Sequence, residues 1–390
     1  MGDHGLSALE KWRATVQIAL LLTDLEAGGA QRVVLSLAEA FVQRGHSVHL
    51  LVITDEYRLQ SALPDGITPF VLVPGKGLLR RFGLAPCAVI RLATWLRAHR
   101  SDVLLSSITG ANLVAALTWR LTRQAGFLVL REASTLANVN SIVRLKLMRL
   151  LYPAADAVIT LSEPMSTEMH QRIGVSKDRI HCIPNGVDRQ RLQVLAAENL
   201  DYRAFNTTNR IRIVAVGRLS PAKDYWTLLK AFQQVAATRY AALFIIGEGA
   251  EREQLQKEIN ALGLTDSVFL VGFDANPWRW LSRADLFVLS SRWEGSPNSL
   301  LEALTLGIPV VSTRFDDSVD SLAKLNDFPV VPCGDPAALA HAIIQRLGNP
   351  TVPSGGGIPN LNDTAESYLR VITPPPSRTL QPNDTRIRNS

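Results

Sequence analysis

The sequence predicts an α/β protein built from two doubly wound, mostly parallel sheets. Three observations lead there. The chain has 390 residues, too many for one typical domain and enough for two of ordinary size plus tails. From Thr15 onward, short apolar runs alternate with amphipathic segments, the order that buries a parallel sheet between helices. After a polar stretch at 188–210, ending in NTTNR, the alternation starts again.

In the first half, TVQIALLL reads as a buried strand, and AQRVVLSLAEAFVQRG as a helix closed by Gly45. SVHLLVI and FVLVP are further strands, CAVIRLATWLRAH a helix and SDVLLSS a strand. ANLVAALTWRLTRQ is a helix, FLVLREA and AVITLS strands, with a helix near Glu163–Ile173 before RIHCIPNGV. In the second half, the strands are IRIVAVG, AALFIIGEG, SVFLVGF, ADLFVLSS and PVVST. The helices are DYWTLLKAFQQVA, AEREQLQKEINALG, the short NPWRWLSRA, and one inside EGSPNSLLEALTLG. This divides the chain into 1–188, 189–360, a last helix within 361–373 (TAESYLRVI) and a Pro-rich polar tail at 374–390 expected to be disordered.

Composition narrows the partners. A hydrophobic fraction of 47% supplies two cores, and a net charge of +6 is a mild excess that suits an anionic small molecule or membrane surface. No zinc-type cysteine cluster, RNA-binding aromatic signature or dense basic run supports nucleic acid. Cys87, Cys182 and Cys333 stand far apart, with neither metal spacing nor a disulfide framework, so the expected compartment is the reducing cytoplasm. The apolar run VQIALLL is too short for a signal peptide core, and no stretch reaches the roughly 18 apolar residues of a membrane span.

Each half opens with a strand, a loop and a helix. In the first, Gly28 and Gly29 precede the helix, where free N–H groups carry partial positive charge; an ordinary glycine turn has the same look. In the second, VGRLSPAKD puts Gly217 and Arg218 at a strand end and Lys223 at the next helix start. Ligands bind outside the carboxyl ends of open α/β sheets, and an Arg–Lys pair there fits a diphosphate. Gly247 and Gly249 occupy the following strand end.

The segment EGSPNSLLE is the most informative. Glu294 falls in the loop after the strand ADLFVLSS; Ser296 is suited to an N-cap, Pro297 to the first helical position, and Gly307 to the close. Leu300, Leu301 and Leu304 make the apolar face, and Glu302 points away from it. Periodicity alone therefore accepts a solvated Glu302. At a strand's carboxyl end, however, these carboxylates can accept hydrogen bonds from sugar and ribose hydroxyls, while N–H groups near Ser296–Leu300 hold phosphate.

Taken together, GGAQRVVLSLA, IPNGVD, VGRLSPAKD, GEG and the E-x7-E of EGSPNSLLE resemble the retaining glycosyltransferases of family 4, over about residues 16 to 347. The resemblance implies the GT-B fold, two Rossmann-like domains facing across a cleft, with TAESYLRVI crossing back to the first domain. It implies a nucleotide-sugar donor, a UDP-sugar before a GDP-sugar, held mainly by the second domain while the first receives the acceptor. Glu294 would contact sugar hydroxyls and Glu302 the ribose; Arg218 and Lys223 would neutralise the leaving diphosphate. The implied donor-binding set comprises Gly28, Gly29, Gly217, Gly247, Gly249, Phe273, Ser296, Asn298, Ser299, Leu300 and Glu302. Neither a metal nor another cofactor is implied, and the chain has no D-x-D.

Two stretches depart from the family pattern. Where many relatives carry a first-domain histidine, this chain has LREAS, which nominates Arg131 and Glu132 as catalytic. Where relatives carry a glycine-rich loop after PVVST, this chain has RFDDSVDSLAKLNDFPVV, with Asp320 in the acidic place. Basic-apolar segments at 76–84 and 141–153 suggest peripheral contact with the inner face of an anionic plasma membrane, although a core helix with snorkelling cations reads the same way. That contact suits a lipid-linked or glycan acceptor in cell-surface polysaccharide or lipopolysaccharide synthesis. A nucleotide-sugar 2-epimerase and an inactive nucleotide-binding scaffold are the alternatives.

Overall fold

The structure is a computed structural model and describes residues 15–373 apart from 27, 56–62, 76–82, 123, 125, 140 and 207–208. Most of the basic segment 76–84 and the whole tail 374–390 thus lie outside the described residues.

The first sheet has seven parallel strands, β1 (Gln17–Leu22), β2 (Ser47–Val52), β3 (Phe70–Val71), β4 (Val103–Ser107), β5 (Phe127–Arg131), β6 (Ala157–Thr160) and β7 (Ile180–Cys182), in the order 3-2-1-4-5-6-7. Its helices are α1 (Gly29–Gln43), α2 (Leu84–Ala98), α3 (Thr109–Thr122), α4 (Ile142–Leu151) and α5 (Glu163–Glu168). Two short helices, α6 (Arg189–Ala196) and α7 (Arg203–Asn206), lead into the second domain. Its six strands are β8 (Ile211–Val216), β9 (Ala241–Ile246), β10 (Val268–Gly272), β11 (Leu286–Leu289), β12 (Val310–Thr313) and β13 (Val330–Val331), ordered 10-9-8-11-12-13. They alternate with α8 (Tyr225–Ala236), α9 (Arg252–Ala261), α10 (Trp278–Leu281), α11 (Asn298–Thr305), α12 (Ser318–Asn326) and α13 (Pro336–Gly348), and α14 (Leu361–Ile372) follows.

Strands such as QIALLL and AALFII are apolar on both faces because helices cover both faces of a parallel sheet. In β1 the two-residue period sorts side chains between two cores. Ala19 and Leu21 pack toward α2, α3 and α4, while Ile18, Leu20 and Leu22 pack toward α1. The second of these cores also takes Leu361, Ala365, Tyr368, Leu369 and Ile372, so α14 is a wall of the first domain although it follows the second in sequence. A parallel bridge between Val187 and Asn360 brings the outgoing and returning chains together.

Periodicity assigned no helix to SVDSLAKLN, which forms α12, and placed the start of α11 one residue early. Pro297, not Ser296, occupies its N-cap, and Asn298 is its first helical residue. Pro297 has ψ 73, outside the helical range, while the Asn298 N–H already donates to the Ser296 carbonyl at 3.0 Å. Gly307 closes the helix as expected, at φ +74.

Strand order decides where a ligand can go. In the first sheet it reverses between β1 and β4, in the second between β8 and β11. The loops that leave β1, β8 and β11 at these switch points all line one cleft between the domains, with a volume near 1700 Å³.

Candidate active site

The loop after β8 and the loop after β11 are knitted together before any ligand is considered. Pro221–Lys223 form a 3-10 turn, and Asp224 then takes a left-handed conformation at φ 45 to cap α8. Its buried carboxylate accepts from Thr227 Oγ1 at 2.8 Å and from Arg292 Nε at 2.8 Å. Ser290 Oγ donates to the Lys223 carbonyl at 2.7 Å. The Lys223 backbone is thus fixed by the loop that carries Glu294.

Its ammonium donates to Glu294 Oε1 at 2.6 Å, and Ser291 Oγ donates to the same oxygen at 2.5 Å. Only 17% of the Lys223 side chain and 12% of that of Glu294 are exposed, so the pair is screened far less than a surface ion pair. Oε2 of Glu294 has no hydrogen-bond partner among the described residues, which leaves it for a ligand hydroxyl. Arg218 is exposed at the same edge, and no described residue pairs with it.

Gly217, Gly247 and Gly249 line this edge too. A Cβ at Gly247, where φ is +153, would stand 1.9 Å from the Gly217 carbonyl oxygen. The glycine therefore lets two strand-end loops touch backbone to backbone, a reason the sequence did not disclose.

Across the cleft, α1 begins at Gly28–Gly29 with no side-chain cap and no acidic residue in its first turn. Its first N–H groups and its dipole are left for an anion. Ser296, Asn298 and Ser299 also line the cleft, whereas Leu300 is fully buried in the second-domain core, and its N–H is taken by the Pro297 carbonyl at 2.9 Å. Only three of these four positions can therefore meet a ligand through their side chains.

At the far end, Glu302 and Phe273 line the cleft together with three residues that sequence reasoning missed, Arg32, Asp274 and Trp278. Glu302 is half-buried rather than solvated. Burial pushes its carboxyl up to about 7, partly opposed by Arg32, the Trp278 indole and Lys223. Arg32, on the first turn of α1, reaches the opposite domain and donates to the carbonyls of Asp274 at 3.3 Å and Ala275 at 3.0 Å, 5.5 Å from the Trp278 ring centre. Burial lowers its pKa. Asp274 is held in turn by Arg279 Nη2 at 2.9 Å and Trp280 Nε1 at 2.7 Å, so this loop is rigid.

Arg131 and Glu132 are elsewhere. Neither lines the cleft; both are buried beneath it, at 0% and 1% exposure. Arg131 donates to Tyr368 Oη at 2.9 Å, Ser107 Oγ at 2.9 Å and Asn185 Oδ1 at 2.8 Å. Asn185 Nδ2 then donates to Asn298 Oδ1 at 2.8 Å, which carries the contact into the second domain. Glu132 accepts from Tyr152 Oη at 2.7 Å and Thr109 Oγ1 at 3.0 Å, and burial raises its pKa. The contact with a reacting sugar that sequence reasoning gave them is not what the geometry provides: their side chains are turned to the chain itself. The signal for this was only that Arg131 ends an otherwise apolar strand. Beside them Ile108, at the end of β4, lines the cleft with a φ of +77, a strained setting for a β-branched residue. Asp320, nominated from the departing loop, pairs with Arg314 and does not line the cleft. Among the described residues no group of three or more His, Cys, Asp or Glu side chains comes together as metal ligands would.

Two domains of this build, with their switch points facing one another across a cleft, make the GT-B fold. Residues 27–191 match the model of Glycosyltransferase Family 4, and residues 200–354 that of Glycosyl transferases group 1. The chain belongs to the family that joins these two domains. Over 320 residues it is 26% identical to the N-acetylgalactosamine-N,N'-diacetylbacillosaminyl-diphospho-undecaprenol 4-alpha-N-acetylgalactosaminyltransferase of Campylobacter jejuni, covering 80% of this chain and 84% of that one. The uncharacterized glycosyltransferase MJ1059 of Methanocaldococcus jannaschii is 34% identical over 165 residues, a match to 42% of this chain and 40% of that protein's length. Among solved structures, Anabaena Alr3699/HepE in complex with UDP-glucose superposes with a TM-score of 0.72 at 19% identity, over 91% of this chain and 96% of that one. At that identity the likeness shows the fold.

Proposed function

We propose that the protein is a retaining, metal-independent hexosyltransferase that moves a sugar from a UDP-sugar to a lipid-linked or glycan acceptor in surface polysaccharide or lipopolysaccharide synthesis. The observation that carries this reading is the Lys223–Glu294 pair at 2.6 Å, facing the uncapped start of α1 across the cleft. As the bond from the sugar's anomeric carbon to phosphate breaks, negative charge grows on the diphosphate. Lys223, the unpaired Arg218 and the α1 dipole are already in place to receive it, and fixed charges that need no reorganisation contribute most to such catalysis. Glu294 is anchored through Oε1 and offers Oε2 to a sugar hydroxyl; Glu302 offers an acceptor for the ribose end. The names of the relatives support the reading, the Campylobacter protein's through its diphospho-undecaprenol acceptor and the Anabaena complex through its UDP-glucose. Localisation at the inner face of the plasma membrane follows from such an acceptor. Among the described residues no helix is long and apolar enough to cross a membrane.

The test is nucleotide release from a panel of nucleotide sugars, with and without a membrane-lipid extract. Acceptor-dependent release of UDP is expected. Epimer formation, or binding without turnover, would replace this reading by an isomerase or a scaffold. Arg218→Ala is expected to slow transfer by about a hundredfold or more, the usual cost of removing one charge-stabilising group, and Glu294→Ala to abolish it with the fold intact.

A further inference from the structure

Between β4 and α3 the chain turns on a single residue. Strand β4 ends at Ser107, α3 begins at Thr109, and Ile108 between them has φ +77. A β-branched residue in that conformation is an outlier that the surrounding structure must enforce. The enforcement is visible on both sides. The Ile108 N–H donates to the Arg131 carbonyl at 3.3 Å, and the Ile108 carbonyl accepts from the Asn112 N–H at 3.0 Å. Asn112 Nδ2 donates to the same Arg131 carbonyl at 3.0 Å and to Tyr152 Oη at 3.2 Å. Thr109 Oγ1 and Tyr152 Oη both donate to the Glu132 carboxylate, and Thr109, Asn112, Glu132 and Tyr152 are all buried. Arg131 and Glu132 thus belong to a clamp on the backbone around Ile108.

Small residues, Ser106 and Gly110, stand two places to either side. A strained strand-to-helix turn with small residues at this spacing is how α/β-hydrolases push a nucleophile out of a sheet edge. Ile108 has no nucleophile to present, only methyl groups. It is half-buried, resting on the core beneath α1 while lining the cleft. On one side, a Cβ at Gly110 would be 3.5 Å from Thr23 Oγ1, in the loop that leads to the uncapped start of α1. On the other, β5 pairs with β4 and runs on to Ala133, which packs against Gly295 beside Glu294. Ile108 therefore stands between the groups assigned to the diphosphate and the group assigned to the sugar.

We propose that Ile108, held by this clamp, is a water shield that keeps solvent from the sugar's reacting carbon until an acceptor arrives. The proposal rests on the transfer reading above. In hydrolysis a water oxygen bonds to the anomeric carbon while the bond to the diphosphate breaks; UDP leaves with that electron pair and the water's proton passes to solvent. In transfer an acceptor hydroxyl oxygen forms the same bond, and its proton goes to the departing diphosphate. Methyl groups beside that carbon favour transfer, because the C–H face of an acceptor sugar can cover them while water finds no hydrogen-bond partner there.

The test measures how turnover divides between the two. UDP release from UDP-glucose, UDP-galactose and their N-acetylated counterparts is followed without acceptor, and sugar transfer with a membrane-lipid extract. Ile108→Ala and Ile108→Gly are expected to raise the ratio of hydrolysis to transfer about tenfold, and Ile108→Val to stay within about twofold of the wild type. A merely structural defect lowers both rates together, so the ratio isolates the shield. The strain has a readout of its own. Both short variants lack the side chain, so the order of their urea midpoints reports the backbone. Glycine above alanine is expected at φ +77, the reverse of the order at a negative φ. An unchanged ratio in both short variants, with wild-type transfer observed, overturns the shield and leaves the transfer reading standing. Alanine above glycine in urea overturns the clamp. If the wild type releases UDP from no donor, with or without the extract, the transfer reading falls and the shield falls with it.

Discussion

Glu302 enters the cleft as a carboxylate with no ion-pair partner at close range among the described residues, and its cost can be measured without a substrate. Burial raises its folded pKa to about 7, above the ordinary 4.5. Between those values the unfolded chain gives up its proton and the folded one keeps it, so stability is present below 4.5 and lost as pH rises through 7. Urea unfolding of the wild type and of Glu302→Gln is therefore expected to diverge between about pH 5 and pH 8, the variant gaining up to about 3 kcal/mol at the upper end. A constant difference across that range would contradict the burial argument. The placement of Glu294, Arg218 and Lys223 on one edge of the cleft was legible in the sequence, because each stands in a loop at a strand end. Arg32, Asp274 and Trp278 were not, because nothing in a helix-face arginine shows that it will reach a carbonyl 242 residues further along the chain.

At the scale of elements, α11 is steered from below. The chain of contacts from Tyr368 on α14 through Arg131 and Asn185 to Asn298 ties the first residue of α11 to the terminal helix. Removing one neutral link, as in Asn185→Ala, costs about 1 kcal/mol, and roughly a fivefold rise in donor KM with little change in kcat is expected. Removing the buried guanidinium in Arg131→Ala strands its partners, and unfolding is expected to show a loss of about 3 kcal/mol. If Asn185→Ala leaves donor KM untouched, α11 does not depend on this contact. The order of most helices and strands was readable from periodicity, though α12, β13 and α13 were not, and element ends were less so. The start of α11 moved by one residue because the Asn298 N–H is satisfied by Ser296, a backbone choice that residue type does not announce. Likewise α4 reads as core or surface from the same letters, and only its neighbours decide.

For the whole molecule, the sequence revealed two domains but not how tightly they close. A Cβ at Gly295 would lie 2.2 Å from the Ala133 carbonyl oxygen, so the loop that carries Glu294 touches the first domain with no room to spare. Gly295→Ala is expected to hold the domains apart. X-ray scattering should show a larger radius of gyration, and donor KM should rise about tenfold or more as groups from the two sides lose register. An unchanged scattering curve would mean that the loop simply yields. Contacts such as Arg191 with Glu39 at 2.7 Å join residues 152 apart, and no local spacing in a chain encodes them.

The position of α14 also sets an order in time. A ribosome delivers β1 to β7 first, yet Tyr368 and Ile372, which complete the core beside α1, emerge only after the entire second domain. Until then the nascent first domain has an open apolar groove where α14 belongs, the kind of surface that chaperones recognise and aggregation exploits. A chain interrupted anywhere in the second domain therefore leaves the first domain without the wall that α14 supplies.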